Sequence, residues 1–165
     1  MPQEKHRILR ERAEETALAI IKKLEPYCSK IQVAGSIRRG VPWVHDIDIV
    51  LILKDWWNLY NEILSLTRPF KPKPDGEKIK SFSIGDITVD LYITSETDWA
   101  TTFLIRTGSA ANNIRLCSRA MSLGWHLHAD GSGLFNQDGK RIAGDNEISI
   151  YEALKLPYQE PAQRR

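Results

Sequence analysis

The sequence predicts an α+β fold, with a mixed β-sheet and packing helices, followed from about residue 98 by a smaller helical and hairpin subdomain. Three observations carry that prediction. Apolar residues recur at helical spacing over 4–25 and 56–66. They alternate or run continuously over 46–53, 78–84 and 87–93, as strands do. Past residue 97 the pattern changes to two short helical stretches and small strands separated by glycine.

Taken in order, residues 4–25 read as a helix, with Ile8, Ala13, Leu18, Ile21 and Leu24 on one side and Pro26 ending the run. Ile31–Ala34 is a short strand entering Gly35-Ser36. Asp46–Leu53 is a second strand, placing Asp46, Asp48, Val50 and Ile52 on one face and Ile47, Ile49, Leu51 and Leu53 on the other. Both faces are apolar beyond the acids, which argues for a central strand. Trp56–Leu66 reads as a helix, and Pro69-Phe70-Lys71-Pro72-Lys73-Pro74 as an extended loop, since proline cannot donate to a ladder. Lys78–Ile84 and Ile87–Ile93 form a hairpin about Gly85-Asp86. Two helices, Thr97–Arg106 and Ala110–Leu123, break at Thr107-Gly108-Ser109. Small strands over Trp125–Ala129 and Gly133–Ile142 precede a last helix, Ile150–Leu156. No internal repeat or low-complexity segment stands out.

Length and composition set the outer limits. A chain of 165 residues is one domain, or a domain with an appendage, and can bury a real core. No run approaches eighteen apolar residues and the N-terminus is too polar for a signal peptide. The expectation is a chain that is neither secreted nor membrane-bound, cytoplasmic or, depending on its source, nuclear or virion-borne. Cys28 and Cys117 match no metal or redox spacing; two reduced thiols are the simplest reading, with a disulfide left open. Net charge is +2, and the basic residues gather at Arg38-Arg39, at Lys71, Lys73, Lys78 and Lys80, and at Arg164-Arg165. Such clusters are more often solvated surface than a phosphate track, so charge permits a polyanionic partner without establishing one.

The chemistry concentrates in Gly35-Ser36-Ile37-Arg38-Arg39-Gly40 and the strand behind it. Asp46 and Asp48 project from the same side of that strand, share it with Val50 and Ile52, and repel one another unless a cation lies between them. Hard divalent ions suit such oxygens. Asp90 is again a lone acid in an apolar strand, Thr88-Val89-Asp90-Leu91-Tyr92; if the two strands are neighbours, three carboxylates converge and can hold two cations about 4 Å apart. Each piece has an ordinary alternative: a solvated Asp pair, turn glycines at Gly35 and Gly40, Ser36 as a helix N-cap, Arg38 pointing to solvent. Together the backbone amides, hydroxyl and guanidinium forks match a triphosphate, and the whole reads as a metal-dependent nucleotidyl-transfer site.

The combination of Gly35-Ser36-x-Arg38-Arg39-Gly40, Asp46-x-Asp48, Asp90 and Thr107-Gly108-Ser109 with Asn113 resembles DNA polymerase family X, within the polymerase-beta-like nucleotidyltransferase superfamily. The resemblance runs from Arg7-Ile8-Leu9-Arg10 to Tyr158-Gln159-Glu160-Pro161. It implies a nucleotidyltransferase palm over 1–97 and a thumb-like nucleotide- and template-binding subdomain over 98–165. It implies two Mg2+ ions, replaceable by Mn2+, ligated by Asp46 and Asp48, with Asp90 completing the catalytic metal site and accepting or relaying the primer proton. Gly35, Ser36, Arg39 and Gly40 would hold the β and γ phosphates; Gly108, Ser109 and Asn113 would line the sugar and base, with a cis bond expected at Gly108–Ser109. A helix-surface amide is the plain alternative for Asn113. The implied partners are a primer-template or gapped DNA and a deoxynucleoside triphosphate, the implied state a monomer, and the implied work gap or end filling of the repair type.

The chain also departs from the family. It resembles minimal members, without the N-terminal lyase and helix-hairpin-helix region. Ile105-Arg106 stand where many members have an aromatic pair, Cys117 where many have an arginine, and Thr88 where some have a supporting arginine. Arg115 or Arg119 would have to reach the template strand instead, unless helix phase turns them to water. Relaxed fidelity is the expected consequence. His45 faces away from the acids and reads as structural; the tryptophans read mostly as core or helix-packing residues, with Trp43 the one placed to stack near DNA. Two other readings remain: a template-independent, RNA-directed or small-molecule nucleotidyltransferase on the same palm, and a non-catalytic end-binding module. Retention of all three acids and of Arg39 argues against the second.

Overall fold

The computed structural model describes residues 7–67 and 78–165, and these divide into two units at Ile93/Thr94. The first unit contains β1 (Ile8–Leu9), α1 (Arg10–Leu24), β2 (Cys28–Val33), α2 (Gly35–Arg38), β3 (Trp43–Val44), β4 (Asp46–Leu53), α3 (Trp56–Thr67), β5 (Ile79–Ile84) and β6 (Ile87–Thr94). The proline-rich stretch 69–74, with Lys71 and Lys73, and residues 4–6 of the expected first helix lie outside the described residues.

Four strands form one sheet in the order β2-β4-β6-β5. β2 and β4 run antiparallel, and β5 and β6 form the expected hairpin, with Gly85 at φ +59° in its turn. β4 is interior, as its apolar faces required. Ile47, Ile49 and Leu51 of β4 and Val89 and Leu91 of β6 are fully buried in one core with Ala13, Ala17, Ile20 and Leu24 of α1 and Leu59 and Ile63 of α3. Alternation therefore puts Asp46, Asp48, Thr88, Asp90 and Tyr92 on the other face. That face is not open water at β4, where Val50 and Ile52 are both buried.

Two details depart from expectation. Ile8 is not helical: β1 pairs antiparallel with β3, Ile8 opposite Val44 and Leu9 opposite Trp43. The buried side of α1 is Ala13, Ala17, Ile20 and Leu24, so Ala13 and Leu24 fall where expected while Leu18 is 59% exposed, and the helix runs into a 3-10 turn at Glu25–Tyr27 where Pro26 falls. Trp43 and Trp57 are exposed as well, and Trp56 partly so, leaving Trp99 as the buried tryptophan among the described residues. His45 is exposed between β3 and β4.

The second unit holds α4 (Trp99–Thr107), α5 (Ala110–Ser122), β7 (His126–Leu127), β8 (Leu134–Phe135), β9 (Arg141–Ala143) and α6 (Glu147–Ala153), with a terminal 3-10 turn at Pro161–Gln163. The three small strands form an antiparallel sheet. Leu104, Leu116, Ala120, Leu127, Leu134, Ile150, Tyr151 and Leu154 make a second core. The last helix starts three residues before its expected start because Asn146 caps it, its side chain accepting from the Ser149 amide. Of the Arg164-Arg165 pair, Arg165 is exposed as expected but Arg164 is not. Arg164 is 1% exposed, donates to Glu147 Oε2 at 2.7 Å and to the Gln159 carbonyl at 2.9 Å, and lies over the rings of Tyr151 and Tyr158.

Candidate active site

The first unit contains both the Gly35–Gly40 turn and the carboxylates. β2 delivers the chain into α2, and the Ala34 amide donates to the Asp48 carbonyl at 2.8 Å, fixing the turn against β4. Gly35, at φ +57°, is where a side chain is impossible: a Cβ there would overlap Asp48 Oδ2. Ser36 is not the N-cap; Ala34 is, and it offers no side-chain cap. The Ser36 hydroxyl is instead buried without a hydrogen-bond partner, an orphan that a phosphate oxygen would satisfy. At the far end, Gly40 sits at φ +72° and its carbonyl accepts from Arg10 Nη1 at 3.0 Å, while the Arg10 amide donates to the Pro42 carbonyl at 2.9 Å.

Asp48 is the electrostatic centre. Burial raises its carboxyl from the usual 3.8 to about 7, and the neighbouring charges of Asp46 and, less, Asp90 push the same way; the Tyr92 hydroxyl and Arg39 oppose. Tyr92 donates to Asp48 Oδ1 at 3.1 Å, and the Ser81 hydroxyl donates to Asp90 Oδ1. Arg39 feels burial, which lowers its pKa, against the attraction of Asp48 and Asp46. The three acids thus share one field with a single described guanidinium among its named contributors. Among the described residues no group of three or more His, Cys, Asp or Glu side chains stands close enough together to hold a metal ion. The fit to a cation is one of charge and donor type: carboxylates only partly offset by Arg39, offering hard oxygens that suit Mg2+ or Mn2+.

Tyr92, Ser81 and Arg10 were not singled out from the sequence. Two of them carried a signal. A two-residue hairpin turn at Gly85-Asp86 places Ser81 across from Asp90, and Tyr92 lies two residues from Asp90 on the same face.

The second unit holds the other expected positions. α4 ends at Thr107; Gly108 (φ +68°) is joined to Ser109 by a cis peptide, and Ser109 caps α5 by accepting from the Asn112 amide at 3.2 Å. Asn113 is half-buried rather than a surface amide: its Nδ2 donates to the Ile105 carbonyl at 2.8 Å, and its Oδ1 is buried without a partner. Arg115 donates to Asn112 Oδ1 and Gln159 Oε1, and Arg119 to the Leu154 carbonyl, so both guanidinium groups are engaged within this unit. Cys28 and Cys117 are free thiols, their pKa values raised by burial.

Residues 102–165 match the family model of the DNA polymerase beta thumb. The polymerase beta of Leishmania infantum, solved as a ternary P/T complex, superposes with a TM-score of 0.82 at 18% identity, over 97% of this chain and 77% of that one. The fold is polymerase-beta-like. No curated protein sequence matches it. The polymerase-beta-like fold bears out the expected α+β class, and the thumb match covers most of the second unit, including Gly108, Ser109 and Asn113.

Proposed function

We propose that this polymerase-beta-like chain is a family X DNA polymerase, adding deoxynucleotides to a primer 3′-hydroxyl during gap or end filling. The observation that carries the reading is the shared field of Asp46, Asp48 and Asp90 beside Arg39 and the Gly35–Gly40 turn. Asp46 and Asp48 would hold two Mg2+ ions, or Mn2+, with Asp90 completing one site; when bound, such ions activate the primer hydroxyl and offset the triphosphate charge.

The chain's own groups do the rest. The orphaned Ser36 hydroxyl donates to a terminal phosphate oxygen, and Arg39 turns from the carboxylates to fork onto the same phosphates. Gly35 and Gly40 keep the turn in the backbone shape that presents its amides. Ser81 holds one oxygen of Asp90, leaving the other to accept the primer proton. Gly108, Ser109 and Asn113 position the sugar and base. A duplex end is the implied partner, consistent with the P/T complex of the matched polymerase.

Primer extension on a one-nucleotide gap, an open template and a single strand tests this, beside Asp90→Ala. Template-directed extension that falls at least about 10²-fold in the variant is expected, the scale of removing a preorganised charged group. Extension independent of template moves the chain toward terminal transfer, and incorporation only on RNA ends or small molecules overturns the DNA reading.

A further inference from the structure

The second unit contains a buried polar network that neither the carboxylate site nor the fold match accounts for. We propose that Tyr151 is a positioning residue for the first turn of α5, and through it for Ser109 and Asn113; the proposal rests on reading that turn as nucleotide-facing. Asn112 is 3% exposed and Tyr151 fully buried. The Tyr151 hydroxyl lies 3.1 Å from Asn112 Nδ2 and 3.2 Å from Oδ1. Arg115 Nη2 also reaches Oδ1, at 3.2 Å. Arginine has donors only, so that atom is the acceptor and Nδ2 donates to the tyrosine oxygen.

The amide of Asn112 is thereby held on two sides, while its backbone N–H is held by the Ser109 hydroxyl. Asn113 follows directly, and its own Nδ2 is fastened to the Ile105 carbonyl. The roll of α5 about its axis is therefore set from α4 through Asn113 and from α6 through Tyr151. The ring of Tyr151 is fixed in turn by the guanidinium groups of Arg115 and Arg164, 5.9 and 5.8 Å from its centroid, and by an edge contact with Tyr158 at 5.2 Å. Arg115 continues to Gln159 Oε1 at 2.8 Å, so the terminal segment braces the same point. A polar pair inside an apolar core fixes one geometry, because any other leaves a buried group unpaired.

Tyr151→Phe removes the hydroxyl and keeps the ring and its stacked cations, so the full-length variant tests geometry rather than folding. The expected result is a KM for the incoming deoxynucleoside triphosphate raised about tenfold with kcat within about threefold, together with shifted amide resonances at Ser109 and Asn113. Unchanged resonances at those two residues overturn the positioning role, whatever the enzyme does. Shifted resonances with an unchanged KM overturn its link to the nucleotide. Wild-type protein that extends no primer sinks the polymerase reading instead, and the resonances then decide the positioning alone.

Discussion

At the scale of single residues, Asp48 shows the cost of building a charged site on a covered sheet face. Its carboxyl is raised to about 7 against 3.8 for a free group. Between those values the native state binds a proton that the unfolded chain releases, so stability is present at low pH and lost as pH rises toward 7. Asp48→Asn removes the charge and keeps an oxygen for the Tyr92 hydroxyl. In metal-free buffer it should be more stable than wild type by about 2–4 kcal/mol at pH 8, and near equal at pH 4. Urea unfolding at both pH values checks this; an equal difference at both removes the electrostatic account.

Gly35 offers a second residue-scale prediction. Gly35 and Gly85 have nearly the same backbone, φ +57° and +59°, but nothing lies within 4 Å of a Cβ built on Gly85, whereas one on Gly35 overlaps Asp48. Gly85→Ala should therefore cost about 1 kcal/mol from backbone alone, and Gly35→Ala at least about 2 kcal/mol more. Equal losses in denaturant titration would mean the turn can move away from β4. The three acids were legible in the sequence because a carboxylate set among buried apolar neighbours on a strand needs a charged partner to stay there. Asn113 was legible as a position but not in its contacts, since its bond to Ile105 depends on how two helices meet.

At the scale of elements, β4 was read to its ends because both its faces are apolar and its acids sit at one end. The expected face of α1 holds at Ala13 and Leu24 and fails in the middle, where Ala17 and Ile20 are buried and Leu18 is exposed. Hydrophobicity ranks Leu18 above Ala17, but the sheet accepts the small side chain of Ala17, and Ile8, which helical spacing also fits, belongs to β1. The terminal segment was the largest miss: Arg164 finds Glu147 seventeen positions upstream, a separation no local pattern encodes. That pair is desolvated, with side-chain exposures of 0% and 11%. Glu147→Ala should cost about 3–5 kcal/mol by stranding the guanidinium, far beyond a surface ion pair, and Glu147→Leu with Arg164→Leu should recover much of the loss. A single variant within about 1 kcal/mol of wild type in urea would show that the tail is not held by this contact.

At the scale of the whole molecule, the proposed polymerase role asks how a chain of net charge +2 would hold a polyanion. Much of its arginine is already engaged: Arg12 with Asp86, Arg141 with Asp145, Arg164 with Glu147, Arg10 and Arg119 with backbone carbonyls, and Arg39 beside Asp46 and Asp48. Affinity for duplex DNA follows the number of phosphates neutralised, each contributing about −0.9 to the slope of log K against log salt. With these cations kept in internal contacts, the slope should be no steeper than about −4, and non-specific binding should lie in the range of about 10⁻⁴–10⁻⁶ M at physiological salt. Fluorescence anisotropy of a labelled gapped duplex across a salt series gives both numbers. A slope near −8 would mean that the ion pairs open on DNA. Arg12→Gln would separate the two cases, leaving a shallow slope unchanged and lowering a steep one by about one unit.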